Sequence, residues 1–205
     1  MKQRIGLGCP KCQIAVYTEN TPDMMNYQSL TEITPVISGE ITAIGEACGN
    51  GWRKVFNVYA KLLFTLDTGL FNFVDSIPCW QDYRDQLLLQ SNSDTALLFS
   101  PPDLFPQPEL PPSSEPFSSK KHAQQSFHII MGRTYAKRLV SEGKLTVSLT
   151  WLDHEFAINE EHRVIVCPYF DYRQLSNIKI EKLANIMASM KSLHSTSISS
   201  IDHNG

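Results

Sequence analysis

The chain has 205 residues and a mass of 23.2 kDa, the size of one domain with a core of its own. Its 42% hydrophobic and 19% charged residues exclude a disordered, collagen-like or coiled-coil chain. A net charge of −3 and a pI of about 6.1 exclude a broadly basic nucleic-acid binder, so any such role would need a local patch.

No apolar run approaches the roughly 20 residues that span a bilayer, and no continuous apolar core follows Lys2 and Arg4, so neither a membrane span nor a signal peptide is expected. The five cysteines, Cys9, Cys12, Cys48, Cys79 and Cys167, are an odd set without a secretory context. They predict free thiols in a reducing, cytoplasmic compartment.

The first apolar segment, Ile14-Ala15-Val16-Tyr17, is short and partly β-branched and predicts a buried strand. A turn-rich loop follows, Glu19-Asn20-Thr21-Pro22-Asp23. Ile41, Ile44 and Cys48 predict a short helix between Ser38 and Cys48, broken by Gly49-Asn50-Gly51. Trp52, Val55, Phe56, Tyr59, Leu62, Leu63 and Leu66 recur at three- and four-residue steps, the stripe of an amphipathic helix, with Asn50 as its N-cap. Trp80, Tyr83, Leu87 and Leu88 predict a shorter helix, and Ala96 to Phe99 a second buried strand.

Seven of the twelve prolines lie between 101 and 116. Proline removes a donor and fixes φ, so residues 101–125 are expected to form an extended surface loop. Phe127 to Met131 then predicts a strand, Gly132 its end, and Arg133 to Val140 a helix. Leu145, Val147, Leu149 and Trp151 alternate, predicting a strand with one solvated face over Lys144 to Trp151. Val164 to Cys167 predicts another buried strand, stopped by Pro168. The last helix is expected from about Ile178 to Leu193, capped by Asn177 and followed by a disordered Ser-rich tail over 194–205.

Short buried strands separated by striped helices predict an α/β chain: one domain over 1–193, a three-layer α/β/α sandwich with a mainly parallel central sheet. Ligands bind such sheets outside the carboxyl ends of the strands. That rule selects three loops: Glu19 to Asp23, Ser100 to Asp103, and Pro168 to Arg173.

Cys9-Pro10-Lys11-Cys12 is a CxxC, the spacing of a zinc or redox pair. Zinc needs two more ligands, and neither a second CxxC nor an HxxxH occurs, so no metal and no cofactor is expected. Gly132-Arg133-Thr134, at a strand-to-helix junction, could bind an anion or simply make a tight turn. The absence of a GxGxxG, a Walker sequence, a GxSxG and an HExxH argues against the common nucleotide-binding and hydrolase sites. Tyr169-Phe170-Asp171-Tyr172-Arg173 places aromatics, a carboxylate and a guanidinium beyond a buried strand.

FHIIMGRTYAKRL, followed by RVIVCPYFDYRQLS and a helix, resembles the closing half of the uracil-DNA glycosylase superfamily. IAVYTENTPD resembles that family's first strand and water-activating loop, and LLFSPP the strand that ends in its uracil-reading residue. The chain as a whole also resembles an uncharacterised bacterial family. The glycosylase resemblance implies that fold and a nucleobase, nucleotide or single-stranded nucleic acid as ligand. It implies Glu19 or Asn20 at the water-activating position, where the carboxylate of Glu19 or Asp23 could serve; with the strand-end rule and the donor and aromatic in the third loop, Asn20, Ser100, Cys167, Tyr169, Asp171 and Arg173 are the expected ligand-binding residues. The family's His-Pro falls on Cys167-Pro168 and its base-reading Asn on Ser100. Cys cannot supply a comparable donor at neutral pH, so an active uracil glycosylase is not expected. Cys79 and Cys167 lie too far apart for the iron–sulfur spacing of one branch. The alternative is a non-catalytic protein-interaction domain of the same α/β class.

Overall fold

The computed structural model describes residues 3–66, 68–74, 77–104 and 126–199, with side chains of the last helix as far as 192. Its centre is four parallel strands: β2 (Ile14–Tyr17), β4 (Thr95–Leu98), β5 (Phe127–Met131) and β8 (Val164–Cys167). They lie side by side in the order β4-β2-β5-β8, with Ile14 between Thr95 and Phe127 and Tyr17 between Leu98 and Ile130. These strands coincide with the four apolar runs read from the sequence as buried strands. Apart from half-buried His128, every residue in them is buried. A parallel sheet covered on both faces requires such near-continuous apolar strands.

Short strands extend both edges. β1 (Gly6–Gly8) lies antiparallel to β4 and parallel to β3 (Ile33–Thr34). β7 (Ala157–Asn159) lies antiparallel to β8, and β6 (Thr150–Trp151) antiparallel to β7. The result is one eight-stranded, mostly parallel sheet in an α/β protein.

Alternation along each strand divides the core. Ile14, Val16, Leu97, Phe127, Ile129, Met131, Ile165 and Cys167 face four helices: α1 (Glu40–Ala47), α2 (Asn50–Thr65), α3 (Trp80–Gln86) and α5 (Asn177–Ser199). Ala15, Tyr17, Ala96, Leu98, Ile130, Val164 and Val166 face α4 (Arg133–Ser141) through Ala136 and Leu139, with Leu145 beside them. Helices therefore cover both faces, unequally. Among the described residues, no helix is long and apolar enough to cross a membrane.

α2 is the central helix of the larger layer. Its Val55, Phe56, Val58, Tyr59, Leu62 and Leu63 are all buried, each contributing about 1.5–3 kcal/mol when removed from water. The Tyr59 hydroxyl is shared between the carbonyls of Ile14 (3.1 Å) and Ala96 (3.2 Å), tying α2 to two central strands.

The structure corrects several expectations. Only Thr150–Trp151 of the 144–151 run forms a strand. Gly143, at φ 64°, closes α4, and the Lys144 and Leu145 N–H groups both donate to the Leu139 carbonyl. That closure turns Leu145 into the core, while Val147 and Leu149 pack partly buried beside it. Their alternation records packing of an irregular segment. Asn50 is the first residue of α2; Gly49 occupies the cap, and the Asn50 side chain accepts from Arg53 instead. Asn177 likewise opens α5, which runs past Leu193 to Ser199. β1, β3 and β7 were not expected: each has two or three residues, too short for a periodic signal. β1 also needs glycine, since a Cβ on Gly6 would sit 2.2 Å from the Leu97 carbonyl oxygen. Most of the proline-rich loop, from 105 to 125, and the tail beyond 199 lie outside the described residues.

His128 is the basic residue of the four central strands. Its Nδ1 shares a 2.8 Å hydrogen bond with the Tyr17 hydroxyl, and burial, aided by Arg4 and His162, lowers its pKa from 6.5 to about 4. The unfolded chain thus binds a proton at His128 that the folded chain refuses. Stability is full above pH 6.5, falls as the pH drops towards 4 and levels off below it. This one group accounts for up to about 3 kcal/mol. Urea denaturation from pH 7.5 to 3.5 should show this loss, with a shallower fall over that window in His128→Gln. At Tyr59, substitution by Phe should cost about 1–2 kcal/mol in the same assay, with no change in the slope against urea.

Candidate functional site

From β2 the chain crosses through α1, α2 and α3 on one face to reach β4. From β5 it crosses through α4 on the other face to reach β8. Crossovers of one hand that travel in opposite directions must use opposite faces. β2 and β5 are neighbours, so the loops leaving their carboxyl ends part and open a crevice between them. It holds about 480 Å3. Glu19 and Asn20 line it after β2, Met131 to Tyr135 after β5, and Pro168 and Tyr169 after β8. His154, Glu155 and Gln174 complete it.

The amino end of α4 opens into this crevice. Gly132 takes φ 94° and ψ 126° as the N-cap, a backbone that glycine adopts without strain. Its N–H donates to the Cys167 carbonyl at 2.8 Å, and its carbonyl accepts from Ala136 at 3.1 Å. The turn is therefore locked to the end of β8. The N–H groups of the first helical turn lack partners within the helix, and no acidic residue stands in that turn. Arg133 lies over the Trp151 ring at 5.3 Å. The guanidinium, the helix dipole and the free N–H groups give this wall positive potential.

The carboxylates of the crevice are paired. Glu19 accepts from Arg138, which also faces Glu142 at 3.8 Å. Glu155 accepts from Lys179 at 2.6 Å, and that ammonium also donates to the Gln174 carbonyl. Tyr169, half-buried and packed against the larger core layer, supplies an aromatic wall. A smaller concavity of about 240 Å3, lined by Phe99, Pro101, Arg138 and Lys144 among others, adjoins the first and shares Glu19 and Tyr135 with it. Thr18, between Tyr17 and Glu19, is fully buried, and its hydroxyl has no partner among the described residues.

The structure gathers three of the eight site residues read from sequence. Glu19, Asn20 and Tyr169 line the one crevice. Asp23, in the same loop as Glu19, is exposed, accepts from Gln28 at 3.0 Å and is not among the lining residues. Ser100 accepts the Ile5 N–H at 3.1 Å and secures the segment leading into β1. Cys167 points into the larger core layer, where burial pushes its thiol well up. Asp171 turns towards α2: it accepts from Lys54 at 2.8 Å and from the Arg173 N–H at 3.0 Å. The exposed Arg173 guanidinium lies 6.0 Å from the Tyr172 ring. Glu19, Asn20, Ser100, Tyr169, Asp171 and Arg173 do not line one pocket: Phe170 is fully buried against Tyr59, Asp171 is drawn to Lys54 and Ser100 to Ile5. Gly132, Arg133 and Thr134 were legible as an anion-binding turn. His154, Glu155 and Gln174 carried no signal, since a fold-back in space brings them in.

A groove of about 350 Å3 between α1, α2 and α3 also contains cations. There Arg84 is engaged by Asp85 and Asn57, and Arg53 by Asn50. The donors of that groove are largely spent on the protein itself.

A family model described as a family of unknown function, DUF6942, matches residues 5–188, and the chain belongs to that family. No curated protein and no solved structure matches the chain.

The Lys54–Asp171 pair fixes the loop after β8 to α2. The Lys54 ammonium, then the Arg173 N–H, hold the Asp171 carboxyl below its usual range. Its contribution is present above pH 3.8 and is lost as the pH falls through the lower folded value. Asp171→Asn should cost about 1 kcal/mol at pH 7, with the difference from wild type vanishing in strong acid. Thermal melts at pH 7 and pH 2 check both.

Proposed function

We propose that this member of the DUF6942 family binds a small planar ligand with an anionic group, of the nucleotide class, in the crevice between β2 and β5. The observation that carries the reading is the position of the α4 amino end, with no acid in its first turn and Arg133 beside it, at the point where the strand order reverses. A phosphate there would accept from the first-turn N–H groups and from Arg133 and Thr134. Tyr169 would stack on the base. Glu19 and Asn20 would meet its polar edge, Glu19 held in place by Arg138.

The resemblance to uracil-DNA glycosylases fits a base-binding crevice at these strand ends. The reading nevertheless stops at binding. The position where that family carries His is Cys167, whose thiol is buried in the core, so a donor to a leaving base is lacking there. The phosphate could belong to a free nucleotide or to the end of a single strand.

Calorimetric titration with nucleoside monophosphates, free nucleobases and short single-stranded DNA tests the reading. A nucleotide should bind with Kd below about 1 mM, or about −4 kcal/mol. Arg133→Ala and Tyr169→Ala should each weaken it about tenfold or more with little change in Tm. A stronger response to the oligonucleotide than to mononucleotides would assign the single strand as ligand. If none of the three binds at millimolar concentration, or if both variants bind like wild type, the reading fails.

An interaction domain is favoured by one feature, the groove between α5 and the β6–β7 edge, where Leu152, Ile158, Ile178, Ile186 and Met190 gather. Leu152 and Ile178 are exposed.

A further inference from the structure

Cys9 and Cys12 stand at the two ends of the turn between β1 and β2, with Pro10 and Lys11 at its centre. Ends of such a four-residue turn lie within about 7 Å at Cα, and a disulfide spans about 4.4–6.8 Å. The turn is held from below: the Cys9 N–H donates to the Thr95 carbonyl at 2.8 Å and the Gln13 N–H to that of Asp94 at 2.7 Å. Arg4 grips it from the side, donating to the Pro10 carbonyl at 3.0 Å and to Cys12 Sγ at 3.2 Å. Cys12 is buried and Cys9 half-buried.

We propose that Cys9 and Cys12 form a reversible redox pair that closes by exchange with a low-molecular-weight disulfide, Cys9 attacking first and Cys12, guided by Arg4, resolving. Cys9 releases its proton to solvent and attacks one sulfur of RSSR. A Cys9–SR mixed disulfide forms and RS− leaves. Cys12 then loses its proton and attacks Cys9 Sγ; the bond to R breaks and a second RS− departs. The protein loses two protons and two electrons, and the reagent gains them as two RSH. Half-burial gives Cys9 access to reagent, and the enclosed Cys12 is reached only by its neighbour. Burial raises the Cys12 pKa, and the guanidinium on its sulfur works in the opposite direction, stabilising the thiolate needed for the second step. Cys48, Cys79 and Cys167 have no second cysteine at turn spacing. The inference is independent of the crevice reading.

The test uses the full chain, incubated with oxidised glutathione, then acid-quenched and unfolded in denaturant, with thiols counted by a colorimetric thiol reagent and the peptides read by tandem mass spectrometry. The thiol count should fall from five to three, with the peptide carrying Cys9 and Cys12 lighter by two hydrogens and no glutathione retained. Cys12→Ser should stop at a glutathione adduct on Cys9. Cys9→Ser should leave Cys12 unmodified. Arg4→Gln should slow closure about tenfold, the value of one charge-assisted hydrogen bond. Dithiothreitol should restore five thiols. A wild-type count that stays at five, glutathione persisting on wild-type Cys9, a cross-link to another cysteine, or unchanged closure in Arg4→Gln would overturn the proposal.

Discussion

Burial of both faces of four parallel strands is the constraint from which the rest of this structure follows. Every residue of β2, β4 and β8 is removed from water. Parallel neighbours cannot be joined by hairpins, so β2 is joined to β4, and β5 to β8, by a crossover that doubles as a cover. The crossover to β4 carries three helices and makes the thick layer with α5; the crossover to β8 carries only α4. Because these two run outward from β2 and β5, the loops between those strands must separate. The crevice is a consequence of covering the sheet, and its position needs no special residue.

What the crevice can do depends on which charges are already spent. Two carboxylates line it, and both are held by basic partners, Glu19 by Arg138 and Glu155 by Lys179. The unspent polarity belongs to the amino end of α4 and to Arg133. The groove of comparable size between α1, α2 and α3 shows the opposite balance: its arginines are bound by neighbouring side chains. Local hydrogen-bond bookkeeping, more than volume, separates a candidate binding site from a surface depression.

The loop after β8 shows how far a run of chemically suggestive residues can mislead. Tyr169 to Arg173 reads as one recognition loop. In the structure its second residue, Phe170, is a core anchor against Tyr59, so the residues on either side of it diverge. Tyr169 stays with the crevice, while Asp171 is drawn to Lys54 on α2. A five-residue segment crossing from sheet to helix cannot present all its side chains to one cavity. Sequence spacing alone does not reveal which of them is the anchor.

Apolar pattern along the chain was enough to place the four central strands, the helices that follow them and the strand-end loops that frame the crevice. Each of these rests on local apolar pattern, which survives without knowledge of distant partners. Glu19, Asn20, Tyr169 and the Gly132-Arg133-Thr134 turn were legible for that reason, since they directly follow buried strands. The antiparallel edges emerge only in the folded chain, because strands of two or three residues have no period and exist through their partners; β1 depends on glycines that let it approach β4. Folding likewise places Leu145 in the core, Ser100 against Ile5 and Cys167 out of contact with solvent. Those outcomes depend on which face a side chain meets after the chain has crossed the sheet, and that is set by packing between residues far apart in sequence.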